Sequence, residues 1–130
     1  MSADNKAVLR RFYKDVVEGG DMEAIDHIAA ESFVDHQPAP GQAPGAEGVK
    51  QFVSGVRQGL SHVNVDIEHI VAEGDLLACH VAIRGRHTGE LFGMPPSGKD
   101  VVIRVSDVVR FKNGTVVERW GVEDMSGLMA

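Results

Sequence analysis

From residue 4 to residue 18, apolar side chains recur on a helical period. Val8, Leu9, Phe12, Tyr13, Val16 and Val17 fall on one stripe and predict an amphipathic helix. Asp4 is placed to cap its start and Gly19-Gly20 to stop it. Asp21 can cap a second, short helix running to about Ala30, with Ile25, Ile28 and Ala29 inward. "SFVDHQPAPGQAPG" reads as a short extended piece entering a Pro/Gly loop. A third helix covers about residues 46–60, with Val49, Phe52, Val53, Val56 and Leu60 as its stripe. From residue 62 the period drops to two. Val63, Val65, Ile67, His69 and Val71 alternate with Asn64, Asp66, Glu68 and Ile70, and "AEGD" makes a turn. The next strand puts Leu77, Cys79, Val81 and Ile83 on one face and His80, Arg84 and Arg86 on the other. After the long connection "TGELFGMPPSGK", residues 101–124 form a hairpin around Asn113-Gly114, the strongest short hairpin signal. Three helices followed by about four antiparallel strands predict one α+β domain, residues 1–130, with the helices on one face of a sheet. A ferredoxin-like sandwich, the runner-up, wants helices between its strands.

The hairpin can be registered from its turn. A two-residue loop pairs Lys112 with Thr115, then Phe111 with Val116, Val109 with Glu118, Asp107 with Trp120, Val105 with Val122, and Ile103 with Asp124. This face is apolar apart from Asp107, Glu118, Trp120 and Asp124, so it is the one the helices should cover. The opposite face, with Arg104, Arg110, Arg119 and an Arg104–Glu123 pair, should meet solvent or a partner subunit. Three carboxylates beneath helices need hydrogen-bond partners, water or neutralisation, and a cavity between sheet and helices would supply room for them. Each also has an ordinary alternative. Asp124 can cap the short "MSGLM" turn, and Glu118 can hydrogen-bond Trp120 or a helix. A register slip of one residue would exchange every assignment between the faces.

The formal net charge of −6, from 19 acidic and 13 basic side chains, disfavours nucleic acid or an anionic membrane as partner, since both need a concentrated positive field. No apolar run is long enough to span a bilayer. "MSADNKAVLRRFY" lacks a secretory pattern, so the expected location is the cytoplasm. The single cysteine, Cys79, lies inside an apolar strand and reads as a buried thiol. No His, Asp or Glu spacing gives a metal pattern, and there is no phosphate loop or Gly-x-Ser-x-Gly elbow. Among the histidines, His36 in "FVDHQP" is a candidate for the pocket mouth, or else a surface residue tied to Asp35. His69 reads as a core histidine, His87 as a brace for the loop after it, and His27, His62 and His80 as incidental.

"VDHQP", "HTGELFGMPPSGK" and "GTVVERWGVED", with the helical N-terminal stripe, resemble the SnoaL-like polyketide cyclases, within the superfamily named after nuclear transport factor two. The resemblance implies a cone-shaped α+β barrel in which a curved antiparallel sheet wraps an apolar pocket closed by helices. It implies ring closure by intramolecular aldol condensation, without metal or organic cofactor, and a pocket aspartate as acid/base group that matches Asp124. Isomerases, dehydratases, epoxide hydrolases and non-catalytic binding proteins share the superfamily, so the fold does not fix the reaction. On this footing Asp124 is the expected general base. Asp107 or Glu118 is the second group, a donor in its acid form, and His36 donates to a substrate oxygen. Trp120 is a flat wall whose N–H is free for a carbonyl, and Phe111, Val105, Val122 and Phe52 line the ligand's apolar part. The expected partners are a small apolar ligand and a second copy of the chain, docked through the outer sheet face.

Overall fold

The computed structural model describes residues 2–128. Helix α1 spans Ser2–Arg11 and continues over Phe12–Glu18 as a wider π-helical segment, in which the Gly19 N–H reaches back five residues to the Lys14 carbonyl. The helix begins before Asp4, which therefore sits in its first turn and does not cap it. A 3₁₀ turn (Met22–Ala24), with Asp21 accepting from the Ala24 N–H, leads into α2 (Ile25–Ile28), and α3 spans Ala46–Gly59. The strands are β1 (Ala29–Asp35), β2 (Leu60–Glu73), β3 (Leu76–His87), β4 (Asp100–Lys112) and β5 (Thr115–Asp124), followed by a 3₁₀ turn at Ser126–Leu128.

The architecture is α+β: helices pack on one face of a five-stranded sheet of order β1-β5-β4-β3-β2. The sheet is open, not closed into a barrel, and it is mixed. The short extended piece expected after the second helix is a full strand, β1, which pairs parallel with β5 through Ala29–Val116 and Asp35–Arg119. The run from Ala29 to Val34 gave no sign of this, because its mixed exposure hides the alternation. The consequence matters for function. β1 ends at Asp35 beside Arg119, and the His36 N–H continues the pairing onto the Arg119 carbonyl.

The core lies between helices and sheet. Tyr13, Val16 and Val17 from the first helical segment, Ile25 and Ile28 from α2, and Val53 and Val56 from α3 meet Leu77, Val81, Ile83, Ile103, Val105 and Phe111 of the sheet. β4 keeps the strict two-residue alternation the sequence predicts, and β3 pairs with it in unbroken register. β2 does not. Its pairing with β3 shifts twice, between Ser61 and Asn64 and between Ile67 and His69. The second irregularity turns His69 outward, against its expected core position, where its ring meets His80 edge-on. His87 is buried as a brace: its backbone bonds Gly98 and Lys99, and Ser97 Oγ lies 3.4 Å from its Nδ1.

Candidate active site

The hairpin turn is where the sequence places it, with Asn113 and Gly114 both at positive φ and Lys112 opposite Thr115, Phe111 opposite Val116. One residue later the register breaks. Val117 is an extra residue on β5, so Arg110 faces Glu118 and Val109 faces Arg119. A β-bulge of this kind exchanges the two faces for the rest of the strand. Beyond it Arg119, Gly121 and Glu123 look toward the helices. Glu118, Trp120, Val122 and Asp124 look away.

The inward set builds a charged cluster around one guanidinium. Arg119 Nε donates to Asp107 Oδ1 (2.8 Å), Nη1 to both oxygens of Asp35 (3.2 and 3.0 Å), and Nη2 to Glu123. The other oxygen of Asp107 accepts from the Tyr13 hydroxyl at 2.7 Å, and Gln42 Nε2 donates to Asp35 Oδ2 at 3.2 Å. Four elements supply these groups: the π-helical segment gives Tyr13, the end of β1 gives Asp35, β4 gives Asp107, and β5 gives Arg119 and Glu123. Gly121 makes room for them. A Cβ at that position would overlap Asp107 Oδ1 and Arg119 Nη2, so the guanidinium folds back across the strand only because residue 121 has no side chain.

This cluster is the polar end of a cavity of about 90 Å³. The remaining wall is apolar, formed mainly by Leu9, Phe12, Ile25, Ile28, Phe33, Val49, Phe52, Val105, Val109 and Val116. Burial works against the charge of Arg119, but Asp107, Glu123 and Asp35 outweigh it and raise its pKa, so the cation is fixed. Burial, then the charge of Asp107, pushes the Tyr13 hydroxyl well above its ordinary value. Tyr13 therefore keeps its hydrogen and acts as a hydrogen-bond donor in the folded protein. Burial and Asp107 also push the Cys79 thiol up to about 12, which leaves it without nucleophilic character at neutral pH.

Of the expected site residues, Asp107, Val105 and Phe52 line the cavity. Phe111 is buried on the same face of β4 but is not part of the lining. Glu118, Trp120, Val122 and Asp124 are on the opposite face, a correction that follows from the single extra residue at Val117. Asp124 does what the ordinary alternative assigned it: its Oδ1 accepts from the Ser126 N–H at 2.9 Å, capping the turn that follows. That turn is described to Leu128; Met129 of the expected "MSGLM" cap lies outside the described residues. Ser126 holds the Asp124 carboxyl below its usual range, the reverse of the raised pKa expected of a pocket base. His36 lies outside too. It bonds Glu118 (3.0 Å) and stacks on Trp120, with ring centroids 4.8 Å apart and planes 9° apart. Arg110 completes this outer group, bridging Glu118 and Asp75. The expected Arg104–Glu123 pair does not form: Arg104 bonds Glu68, and Glu123 turns inward to Arg119.

Sequence reasoning missed Arg119, Asp35, Glu123 and Gln42 as site residues and read Tyr13 only as part of a core stripe. One signal was present. A glycine inside a strand, Gly121, marks a bulge or a close approach, and both occur within four residues of it.

An α+β cone with a small, mainly apolar cavity and one polar end belongs to the class of folds that hold small molecules between helices and sheet. The sequence model of the SnoaL-like polyketide cyclases matches residues 7–130, and the chain belongs to that family. Among solved structures, TsrD from Streptomyces laurentii has a TM-score of 0.87 at 22% identity, covering 98% of this chain and 93% of that one. AclR from Streptomyces galilaeus, described as a proposed hydroxylase, has a TM-score of 0.85 at 25% identity, covering 99% and 80%. IdmH from Streptomyces antibioticus, described as a proposed polyketide cyclase, has a TM-score of 0.80 at 26% identity, covering 96% and 95%. No curated protein gives a significant match. Among the described residues, no helix is long and apolar enough to cross a membrane.

Proposed function

We propose that the protein is a cyclase-type enzyme of the cytoplasm that needs no cofactor, acts on an apolar carbonyl compound by proton abstraction, and uses Asp107 as the proton-transferring carboxylate. The observation that carries this reading is the Asp107–Tyr13 hydrogen bond of 2.7 Å at the polar end of an apolar cavity. A carboxylate takes a proton from the carbon next to a carbonyl. The electron pair moves onto the carbonyl oxygen; protonation of Asp107 releases the Tyr13 O–H, which then donates to the enolate. The enolate carbon then attacks a second carbonyl carbon of the same molecule, a C–C bond forms, and the new alkoxide takes the proton back from Asp107. Arg119 holds Asp107 in place beside a fixed cation. Isomerisation or dehydration would use the same first step; epoxide hydrolysis would use the carboxylate to activate water. The family resemblance puts Asp124 and His36 forward as well, but both lie outside this cavity, so the reading rests on Asp107.

The test is a screen of carbonyl-bearing ring precursors with the wild type, Asp107→Asn and Asp124→Asn. Asp107→Asn should lose turnover by about a hundredfold or more, while Asp124→Asn should keep it. The opposite pattern would return the acid/base role to Asp124. A non-catalytic ligand-binding protein is the second reading, and one observation favours it: both oxygens of Asp107 are already engaged. Tight ligand binding unaffected by Asp107→Asn, with no product formed, would establish it. The reading includes a homodimer through the outer sheet face, supported by the exposed Val34, Val108 and Val122 around Trp120. Val122→Glu should shift the sedimentation coefficient to that of a monomer.

A further inference from the structure

The polar end of the cavity is rich in acceptors and short of donors. Of the charged residues lining it, Asp35, Asp107 and Glu123 are acidic and Arg119 alone is basic. The guanidinium is committed. Its Nε goes to Asp107, Nη1 faces both oxygens of Asp35, and Nη2 goes to Glu123. Each nitrogen of Arg119 that bears a hydrogen already faces a carboxylate, so its one positive charge is shared among three anions before a ligand arrives. Tyr13 has spent its hydrogen on Asp107. On the acceptor side, Glu123 uses one oxygen on Arg119, and its second oxygen has no partner among the described residues. Glu123 is also part-exposed within the lining, where an entering ligand meets it.

An anion placed here would meet three carboxylates with no free cation to pair with. A cation would be drawn by the excess of negative charge, and the apolar wall would take the rest of the molecule. We infer that the cavity selects an apolar ligand that carries a protonated amine and turns away carboxylates and phosphates. The inference rests on the reading of this cavity as the ligand site and adds the charge class of what enters it.

The experiment is a matched set of probes, benzylamine, benzyl alcohol and benzoate, titrated by calorimetry into the wild type, Glu123→Gln and Asp35→Asn. Benzylamine should bind about tenfold more tightly than benzyl alcohol, with benzoate weakest. Glu123→Gln should shrink the advantage of the amine over the alcohol about fivefold, the effect of one nearby charge. Asp35→Asn should do the same, and stands in should Glu123→Gln fail to fold. Benzoate binding as tightly as benzylamine, an order unchanged by both variants, or no binding by any probe would each overturn the inference. Val49→Phe, which fills the cavity from α3, separates the two levels. If it leaves all affinities unchanged, the probes sit elsewhere and the cavity reading falls as well. If it abolishes binding while benzoate matches benzylamine in the wild type, only the charge selection is wrong.

Discussion

β4 and β5 carry two ionic clusters, one on each face, built from adjacent residues. On the inner face Arg119 joins Asp107, Asp35 and Glu123, with side chains mostly 9–13% exposed. On the outer face Arg110 joins Glu118 and Asp75, and Glu118 joins His36, with exposures of 32–55%. The chemistry is the same, a guanidinium bridging carboxylates, and the distances are alike. The energetics are not. In water an ion pair trades one set of good interactions for another and is screened by salt. Out of water the ions have nothing to trade back to, so each depends on the others staying in place. The same pairing is surface decoration on one face and a poised, water-poor site on the other. The single residue Val117 decides which pair goes where.

The largest effect should come from filling the space into which Arg119 folds. Gly121→Val puts a side chain on top of Asp107 Oδ1 and Arg119 Nη2 and should cost the folded state, read by circular dichroism and one-dimensional NMR. Deletion of Val117 removes only the extra residue and leaves Arg110 opposite Glu118 and Val109 opposite Arg119, so it should fold with Tyr13 still bonded to Asp107. A deletion variant that buries Trp120 and exposes Arg119 would break the account of the bulge.

Next comes the contrast between the arginines. Arg119→Met leaves three carboxylates near one another without their cation and should cost about 3–5 kcal/mol in urea unfolding. Arg110→Met should give a much smaller loss that fades as salt is added. Equal effects would mean that the difference in exposure does not govern the two clusters.

The smallest effect concerns acid. His36 first and then Arg110 hold the Glu118 carboxyl below its ordinary range, and Lys14 does the same for Glu18. A carboxylate with a depressed folded pKa stabilises the protein above its unfolded value and loses that contribution as the pH falls through the folded one. Thermal stability should therefore decline modestly as the pH drops through the carboxylate range, and less so in high salt. A decline indifferent to salt would place its source in the inner cluster.

The same contrast explains what was legible in the sequence. The helical stripes, the Asn113-Gly114 turn and the whole of β4 are written in periodicity, because each position there has one face to satisfy. The inner position of Asp107 followed from that. The bulge at Val117 leaves no periodic trace: valine suits either face, so nothing marks the residue at which the count changes. β1 was hidden for a related reason, since its partner β5 lies more than 80 positions away in the chain and parallel pairing gives no local turn signal. Arg119 was assigned to solvent because arginine usually lies there. Only its three carboxylate partners, two of them from other strands, make its burial tolerable.

The most direct test uses the protein's one tyrosine. Tyrosinate absorbance at 295 nm, followed through alkaline pH, reports Tyr13 alone. Burial and the neighbouring charge of Asp107 raise its folded pKa, so stability from the neutral hydroxyl is complete below the ordinary tyrosine value of about 10 and is lost as the pH rises beyond it. The account predicts no ionisation near that value and a sharp rise only when circular dichroism shows the fold opening, with Asp107→Asn ionising earlier than the wild type. A smooth, reversible titration near the ordinary value in the folded wild type would contradict it, because Tyr13 would then be neither buried nor bonded to the carboxylate on which the proposed chemistry depends.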